Sequence, residues 1–399
     1  MPNATAAATP ETHPLFERLE ALDAELVDLD TRTRALERFF ALPSGREKPG
    51  RFWRVDFEAI VPDADAAAPA GAQLELQTND RAVIVCDLKT AARKHSQLLA
   101  RAFGTTSAGS TKFGALTQAL LTNGVFVYVP ADHACDEPIT VRCHAPAAAA
   151  VFPWIVVLAE RGARVTVVER LTADANALVC GVVEIVSAEN ADVTYAALQN
   201  AGEAARVIFS RAARPGRDAN VAWAIAEIGA ELAAEDVRVS IEEPGADVHL
   251  TTVFFPRASQ HVDFISTLDH RAGEATSETI VKSAARERGQ ARFLGNIRIA
   301  PHAQGSDARL RDDALLLSPT AHIDSVPALE IGANDVKAYH GATVGALDAD
   351  QIFYMESRGI ERDAAERMIA LGFFEPAIER FPTSTLRDDL RAALAAKLS

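Results

Sequence analysis

Four short echoes constrain this chain more than any other feature. Gly162-Ala163-Arg164-Val165 is followed by Asn190-Ala191-Asp192-Val193, Asp218-Ala219-Asn220-Val221 and Gly245-Ala246-Asp247-Val248. The valines stand at 165, 193, 221 and 248, at intervals of 28, 28 and 27. Between them lie further strand candidates, Val182–Val186, Val207–Phe209 and Val237–Ile241, with Val262–Ile265 after the last. A small turn residue and then Ala-x-Val, repeated at a period of strand plus turn, describes the coils of a β-solenoid. One coil has no means of burying its inner face alone, so neighbours stack and the valines become an internal ladder. A β-sandwich with long strands is the competing arrangement.

Texture divides the chain into three zones. Residues 1–122 read as a mostly helical domain. Leu15, Leu19, Leu22 and Leu26 recur at helical spacing, and Asp30 is a candidate cap for a helix bearing Leu36, Phe39 and Phe40. Pro43, Gly45, Pro49 and Gly50 would end that helix, and Ala66–Gly71 reads as a linker. Helices are also expected over Leu88–Phe103 and Lys112–Leu121, stopped by Gly104 and Gly124. Residues 123–347 carry the strand-and-turn texture. Residues 348–399 return to helix, capped by Asp348 or Asp350 and broken at Gly359. There Ala364, Met368, Ile369 and Leu371 share an apolar side, and Leu386–Leu398 forms a last amphipathic segment.

The net charge of -15, with no basic block, argues against a nucleic-acid or anionic-membrane surface. The longest apolar run, Ala145–Ala159, is shorter than a bilayer span and is interrupted by Pro146 and Pro153. The N-terminal stretch lacks the charged and apolar regions of a secretory signal. Four cysteines, Cys86, Cys135, Cys143 and Cys180, form no Cys-x-x-Cys pair. A reducing cytoplasm is the expected compartment.

Several enzyme signatures are missing. The chain has no Gly-Lys dipeptide, no Gly-x-Gly and no His-Glu-x-x-His, so no phosphate-cradling loop or zincin helix can be built. Cys135, Asp136 and Cys143-His144 match no standard zinc spacing, and a buried thiol is the default reading there. His340 lies in the polar stretch Tyr339-His340-Gly341-Ala342-Thr343, read as a turn between a strand pattern and a helical one. Imidazole suits iron as well as zinc, but clusters are held mostly by thiolates, and no cysteine is near. His302 and His322 lie upstream, in strand ends that could adjoin it. From spacing alone, a structural turn histidine is the favoured reading. A second class of function is a cytoplasmic β-helix enzyme acting on polysaccharide. It would need paired carboxylates, or a basic residue repeated, along one solenoid face, whereas the recurring Asp192 and Asp247 fall at turns.

The segment LLLSPTAHIDSVPALEIGANDVKAYHGATVGALDADQIFYMESRGI resembles the C-terminal block of SufD proteins of the SufB/SufD family, which serve SUF iron–sulfur cluster assembly. Asn123–Pro130, with Glu137-Pro138-Ile139, is similar to that family's entry into its β-helix, so the likeness covers roughly residues 120–375. It implies a mainly β fold: a right-handed parallel β-helix flanked by helical N- and C-terminal domains. It also implies a non-catalytic subunit partnered by a SufB-like scaffold and a SufC-like ABC ATPase. A homodimer in isolation and reduced FAD in the complex are further expectations. SufB-type chains carry Glu after the corresponding histidine and a Cys in the preceding strand. Here Gly341 follows His340, and Leu310–Leu317 holds no Cys. SufD proteins often have Cys two residues before the histidine, where this chain has Ala338, and their Asn-rich lead is replaced by Arg309–Asp313. On this resemblance His340 is expected to contribute a ligand to a nascent cluster. The helices from Asp348 to Phe374 are expected to dock the ATPase, with Tyr354, Arg358, Phe373 and Phe374 at the partner interface; packing of Phe373 and Phe374 against the last coil is the equal alternative.

Overall fold

A computed structural model describes residues 13–43, 55 and 72–398. The strands stack into two sheets that enclose one apolar interior, a parallel β-solenoid. One sheet has nine strands and the other ten, and each coil contributes a strand to both. The echo valines stand in one register column, Val165 beside Val193, Val193 beside Val221 and Val221 beside Val248. All four are at most 1% exposed. The sandwich alternative is therefore excluded, because these neighbours pair parallel.

The turn residue before each Ala-x-Val has a backbone reason. Gly162, Asn190, Asp218 and Gly245 all have positive φ, between 52° and 75°. Left-handed backbone is open to glycine and tolerated by Asn and Asp. The corner column continues through Glu274 and Gly305. Past Val248, however, the ladder positions are Ser277, Ala308 and Ala338, and the spacing stretches. The sequence echo fades there although the coils go on.

Both outer faces are covered. Helices Leu29–Ala41 and Lys112–Leu120 lay Leu36, Phe39, Phe113 and Leu116 over Cys180, Ile208, Ala234 and Ile265 of the ten-stranded sheet. On the nine-stranded sheet, Arg362–Ile378 and Ser384–Leu398 bury Phe374, Ile378, Leu390 and Leu394 against Val168, Ala196, Ala224 and Val253. Glu184 ties the N-terminal layer to the sheet. It accepts hydrogen bonds from Gly104 N (2.6 Å), Thr106 N (2.9 Å), Thr106 Oγ1 (2.7 Å) and Trp154 Nε1 (2.8 Å).

Element limits within the first zone differ in detail from expectation. The first helix, Pro14–Leu19, stops before Leu22 and Leu26. Asp28, not Asp30, caps the second, accepting from Thr31 N at 2.8 Å. Leu88–Phe103 is two short helices broken at His95, and Gly124 lies inside strand Asn123–Val129. The linker Ala66–Gly71 and the glycines at 45 and 50 lie outside the described residues. Sequence reading also missed two strands in the first zone. Gln73–Gln77 and Ile84–Asp87 pair antiparallel with Ile139–Ala145 and Asn123–Val129 and close the first coil.

Candidate functional site

The two ends of the solenoid are built differently. Antiparallel strands cap the N-terminal end, whereas the sheets finish at His322–Ile331 and Lys337–Ala346 with each last strand paired on one side only. A lone edge offers unpaired N–H and C=O groups to another chain. Ile331 and Val344 stand in register with inward residues of earlier coils but are 44% and 46% exposed, because no further coil covers them.

His340 belongs to this edge. It lies within strand Lys337–Ala346, so the expected turn is in fact a rung. The polar, glycine-bearing stretch is extended because it pairs with Asp307–Leu316, a tertiary constraint that overrides local turn preference. His340 is in register with Leu310, which points inward and is 1% exposed. Side chains alternate along a strand, so His340 continues the interior column of Tyr195, Trp223, Leu250 and Leu310, yet is exposed at the open end. Tyr339 takes the opposite face and is 60% exposed. A Cβ on Gly341 would stand 2.5 Å from the Tyr339 hydroxyl, so the glycine after His340 gives that phenol room.

Beneath this rung, Asp312 is fully buried and accepts a hydrogen bond from Ser325 Oγ. Burial pushes its carboxyl up to about 7. On the outer face, Thr343 Oγ1 donates to Asp313 Oδ1 (2.7 Å), while Lys282 and Arg311 reach Asp313 Oδ2 (2.9 and 2.8 Å). Burial raises Asp313, but the Lys282 and Thr343 hydrogen bonds outweigh it and hold the carboxyl below its ordinary value.

The other residues singled out in the sequence are not brought to His340. His322 pairs with Asp324 (2.8 Å) and His302 is exposed after the preceding strand. Cys143 faces the core at 1% exposure, while His144 points away and contacts Thr172 (3.0 Å) and Asp174 (3.5 Å). Among the described residues one group of three donors converges, Asp80, His133 and Cys135, and His340 is not in it. The His-x-Cys spacing on extended backbone was the signal for that group, and it was overlooked.

After the solenoid, Ala349–Ser357 is capped by Asp348, and Gly359 (φ 83°) ends the turn that follows. Tyr354 is 59% exposed with the Arg358 guanidinium 5.2 Å from its ring centroid. Phe374 is a correction. It is wholly buried, 6.1 Å from Phe255, and packs the helix onto the sheet. Phe373 is half-buried with Lys282 Nζ 4.4 Å from its ring centroid. The expected apolar side of that helix is also displaced: Ala365, Ala370, Phe374, Ala377 and Ile378 are buried, while Met368 is 54% exposed. Phe353, Tyr354 and Met368 are the exposed apolar groups here. Asp192 and Asp247, weighed for a polysaccharide enzyme, engage Arg164 (3.6 Å) and His249 (3.2 Å) as outer-face charges.

The fold and its open end define a class: a helix-flanked β-solenoid whose last coil presents an unpaired edge carrying one histidine. Residues 141–373 match the family model described as SUF system FeS cluster assembly, SufBD core domain, and residues 70–141 match the SufBD protein N-terminal region. The likeness thus begins earlier than the motifs at Asn123 indicated. The chain is 30% identical over 338 residues to the iron–sulfur cluster assembly protein SufD of Bacillus subtilis, covering 83% of this chain and 77% of that one. It is 26% identical over 314 residues to SufBD family proteins of Staphylococcus saprophyticus and Staphylococcus epidermidis, covering 77% of this chain and 68% of each. The chain belongs to the SufBD family of iron–sulfur cluster assembly proteins and is of the SufD type. No helix among the described residues is long and apolar enough to cross a membrane.

Proposed function

We propose that this chain is a non-enzymatic scaffold subunit of a SufBCD-type complex in the cytoplasm. Its open coil joins a SufB-like subunit, its post-solenoid helices dock a SufC-like ABC ATPase, and the cluster is built between chains with His340 as one ligand. The observation that carries the reading is the asymmetry of the solenoid ends. The capped end needs no partner, while the open end exposes Ile331, Val344 and two strand edges that a second solenoid would cover. An isolated chain would use the same edge to pair with its own copy.

His340 supplies one imidazole and no thiolate neighbour, so the remaining ligands come from the partner. The absence of a phosphate-cradling loop puts ATP turnover in the ATPase. Phe353, Tyr354, Met368 and Arg358 are its anchors; Phe374 supports them from the core. Reduced FAD in the assembled complex belongs to the same reading, with no residue of this chain assigned to it. Four free cysteines accord with a reducing compartment.

The test is iron and acid-labile sulfide per anaerobically purified complex, wild type against His340→Ala. The variant should assemble normally, because an exposed imidazole contributes little packing, yet lose most of its iron and sulfide. Equal contents in the two would remove His340 from the ligand set.

A further inference from the structure

We propose that Asp80, His133 and Cys135 bind one divalent metal ion of the zinc class, which clasps the N-terminal cap onto the first coil. The site stands far along the chain from the open edge and does not depend on the docking reading. Its donors come from two segments. Asp80 lies between the capping strands Gln73–Gln77 and Ile84–Asp87, and His133 and Cys135 lie between Asn123–Val129 and Ile139–Ala145.

The backbone fixes the pair from the coil. Ala134 forms a parallel bridge with Arg164, Arg164 N donates to His133 O (2.8 Å) and Cys135 N donates to Arg164 O (2.8 Å). On extended backbone, residues two apart share a face, so the imidazole and thiol project together. Asp80 is held from its own side, with Oδ1 accepting from Ala82 N (2.9 Å) and Oδ2 meeting His133 Nε2 (2.6 Å). Asn79 Nδ2 donates to Glu137 Oε2 (2.8 Å), a second tie between the two segments.

The three ligand atoms lie within 4.8 Å of one another. Around a tetrahedral ion with bonds of roughly 2.0–2.3 Å, ligand atoms stand about 3.6 Å apart, so closure needs shifts of about an ångström. Carboxylate, imidazole and thiolate are all zinc ligands, and three protein ligands leave a fourth position for water. The ion takes the place of the Asp80–His133 hydrogen bond and of the Cys135 proton. Because zinc takes the thiolate, binding releases the thiol proton and tightens as pH rises.

The probes are Co(II) alone and Zn(II) alone, added to the full chain purified free of metal. Co(II) should produce a thiolate charge-transfer band in the near ultraviolet, saturating at one equivalent, and Zn(II) should raise the thermal midpoint. Cys135→Ser should abolish the band, whereas Cys86→Ser, at the half-buried thiol of a capping strand, should keep it. His133→Gln should weaken Co(II) affinity by about tenfold or more, since even second-shell losses at metal sites cost that much. Should Cys135→Ser fail to fold, Asp80→Asn reads the same site through loss of affinity and of the Zn(II) shift. Absence of the band at saturating Co(II), its survival in Cys135→Ser, or a band without a Zn(II)-dependent rise in midpoint would each overturn the proposal.

Discussion

Arg211 crosses the solenoid interior at 1% exposure. Its Nη1 donates to Glu169 Oε2 (2.6 Å), and its Nε and Nη2 donate to the two carboxylate oxygens of Glu235 (3.0 and 3.2 Å). Tyr195 adds a hydrogen bond to Glu169 Oε2 at 3.0 Å, and the guanidinium lies 4.3 Å from the centroid of the Phe209 ring. Burial opposes the Arg211 charge, but Glu169 and Glu235 outweigh it and hold the group protonated. Burial, and then the Glu235 charge, push the Glu227 carboxyl well above its ordinary value. Arg211→Met leaves two buried carboxylates without their cation, and removing one partner of such a set costs about 3–5 kcal/mol. Arg211→Met combined with Glu169→Leu and Glu235→Leu removes the charges together. Apolar replacement of a whole buried set is often neutral or stabilising by about 1–4 kcal/mol. Urea unfolding followed by Trp223 fluorescence reads both variants, since that indole lies 5.2 Å from the Tyr195 ring. If the triple variant is as unstable as the single one at unchanged denaturant slope, the loss is one of packing volume, and the unpaired-charge reasoning fails. A single variant within about 1 kcal/mol of wild type would also refute it.

Val193→Asp places a charge in the interior ladder at a fully buried position and should cost about 3 kcal/mol or more, whereas Val344→Asp at the open edge should stay within about 0.5 kcal/mol. Both are read by chemical unfolding, and equal losses would reject the ladder argument. Lys397 Nζ donates to Gln260 Oε1 (2.7 Å) and to the Ile228 carbonyl, and burial, with Arg257 adding, lowers its pKa from 10.5 to about 7. The unfolded chain then binds more protons than the folded one between about pH 7 and 10.5, so this group makes stability rise with pH across that window. Lys397→Met should flatten that slope in thermal scans, and an unchanged slope would assign it to another group. Tyr354→Ala with Phe353→Ser should leave the fold intact and weaken capture of the ATPase by about tenfold or more, in the range of an interface hot spot. Full capture in a pull-down would move the dock elsewhere.

The fold was legible where local and global preferences agree. Residues 162, 190, 218 and 245 must tolerate positive φ, and the valine three positions on must face the interior. Backbone and core thus impose one period, visible as Gly/Asn/Asp-Ala-x-Val. Where Ser277, Ala308 and Ala338 fill the ladder, small residues satisfy the same geometry without a signature, and the later coils were traced only through the family motif. The capping strands Gln73–Gln77 and Ile84–Asp87 escaped notice because each is short. Their pairing partners lie dozens of residues downstream, so the signal for them is tertiary.

Side-chain direction explains what could not be read at the candidate site. Tyr339-His340-Gly341 looks like an exposed turn because it is polar and holds a glycine, and only its pairing with Arg309-Leu310-Arg311 makes it a rung. That pairing changes what His340 signifies. A turn imidazole is free to point anywhere into solvent, whereas one in register with Leu310 is directed over the end of the interior column. Phe373 and Phe374 show the converse. Adjacent aromatics on a helix project about 100° apart, so when Ala370, Phe374 and Ala377 turn onto the sheet, Phe373 is left at the margin under Lys282. The exposed aromatic surface accordingly moves to Phe353 and Tyr354, one helix earlier and adjoining the open edge in sequence. Helix Ala349–Ser357 begins just two residues, Leu347 and Asp348, after the strand that presents His340, so under the proposed docking a load applied at that helix would have a short covalent path to the open edge.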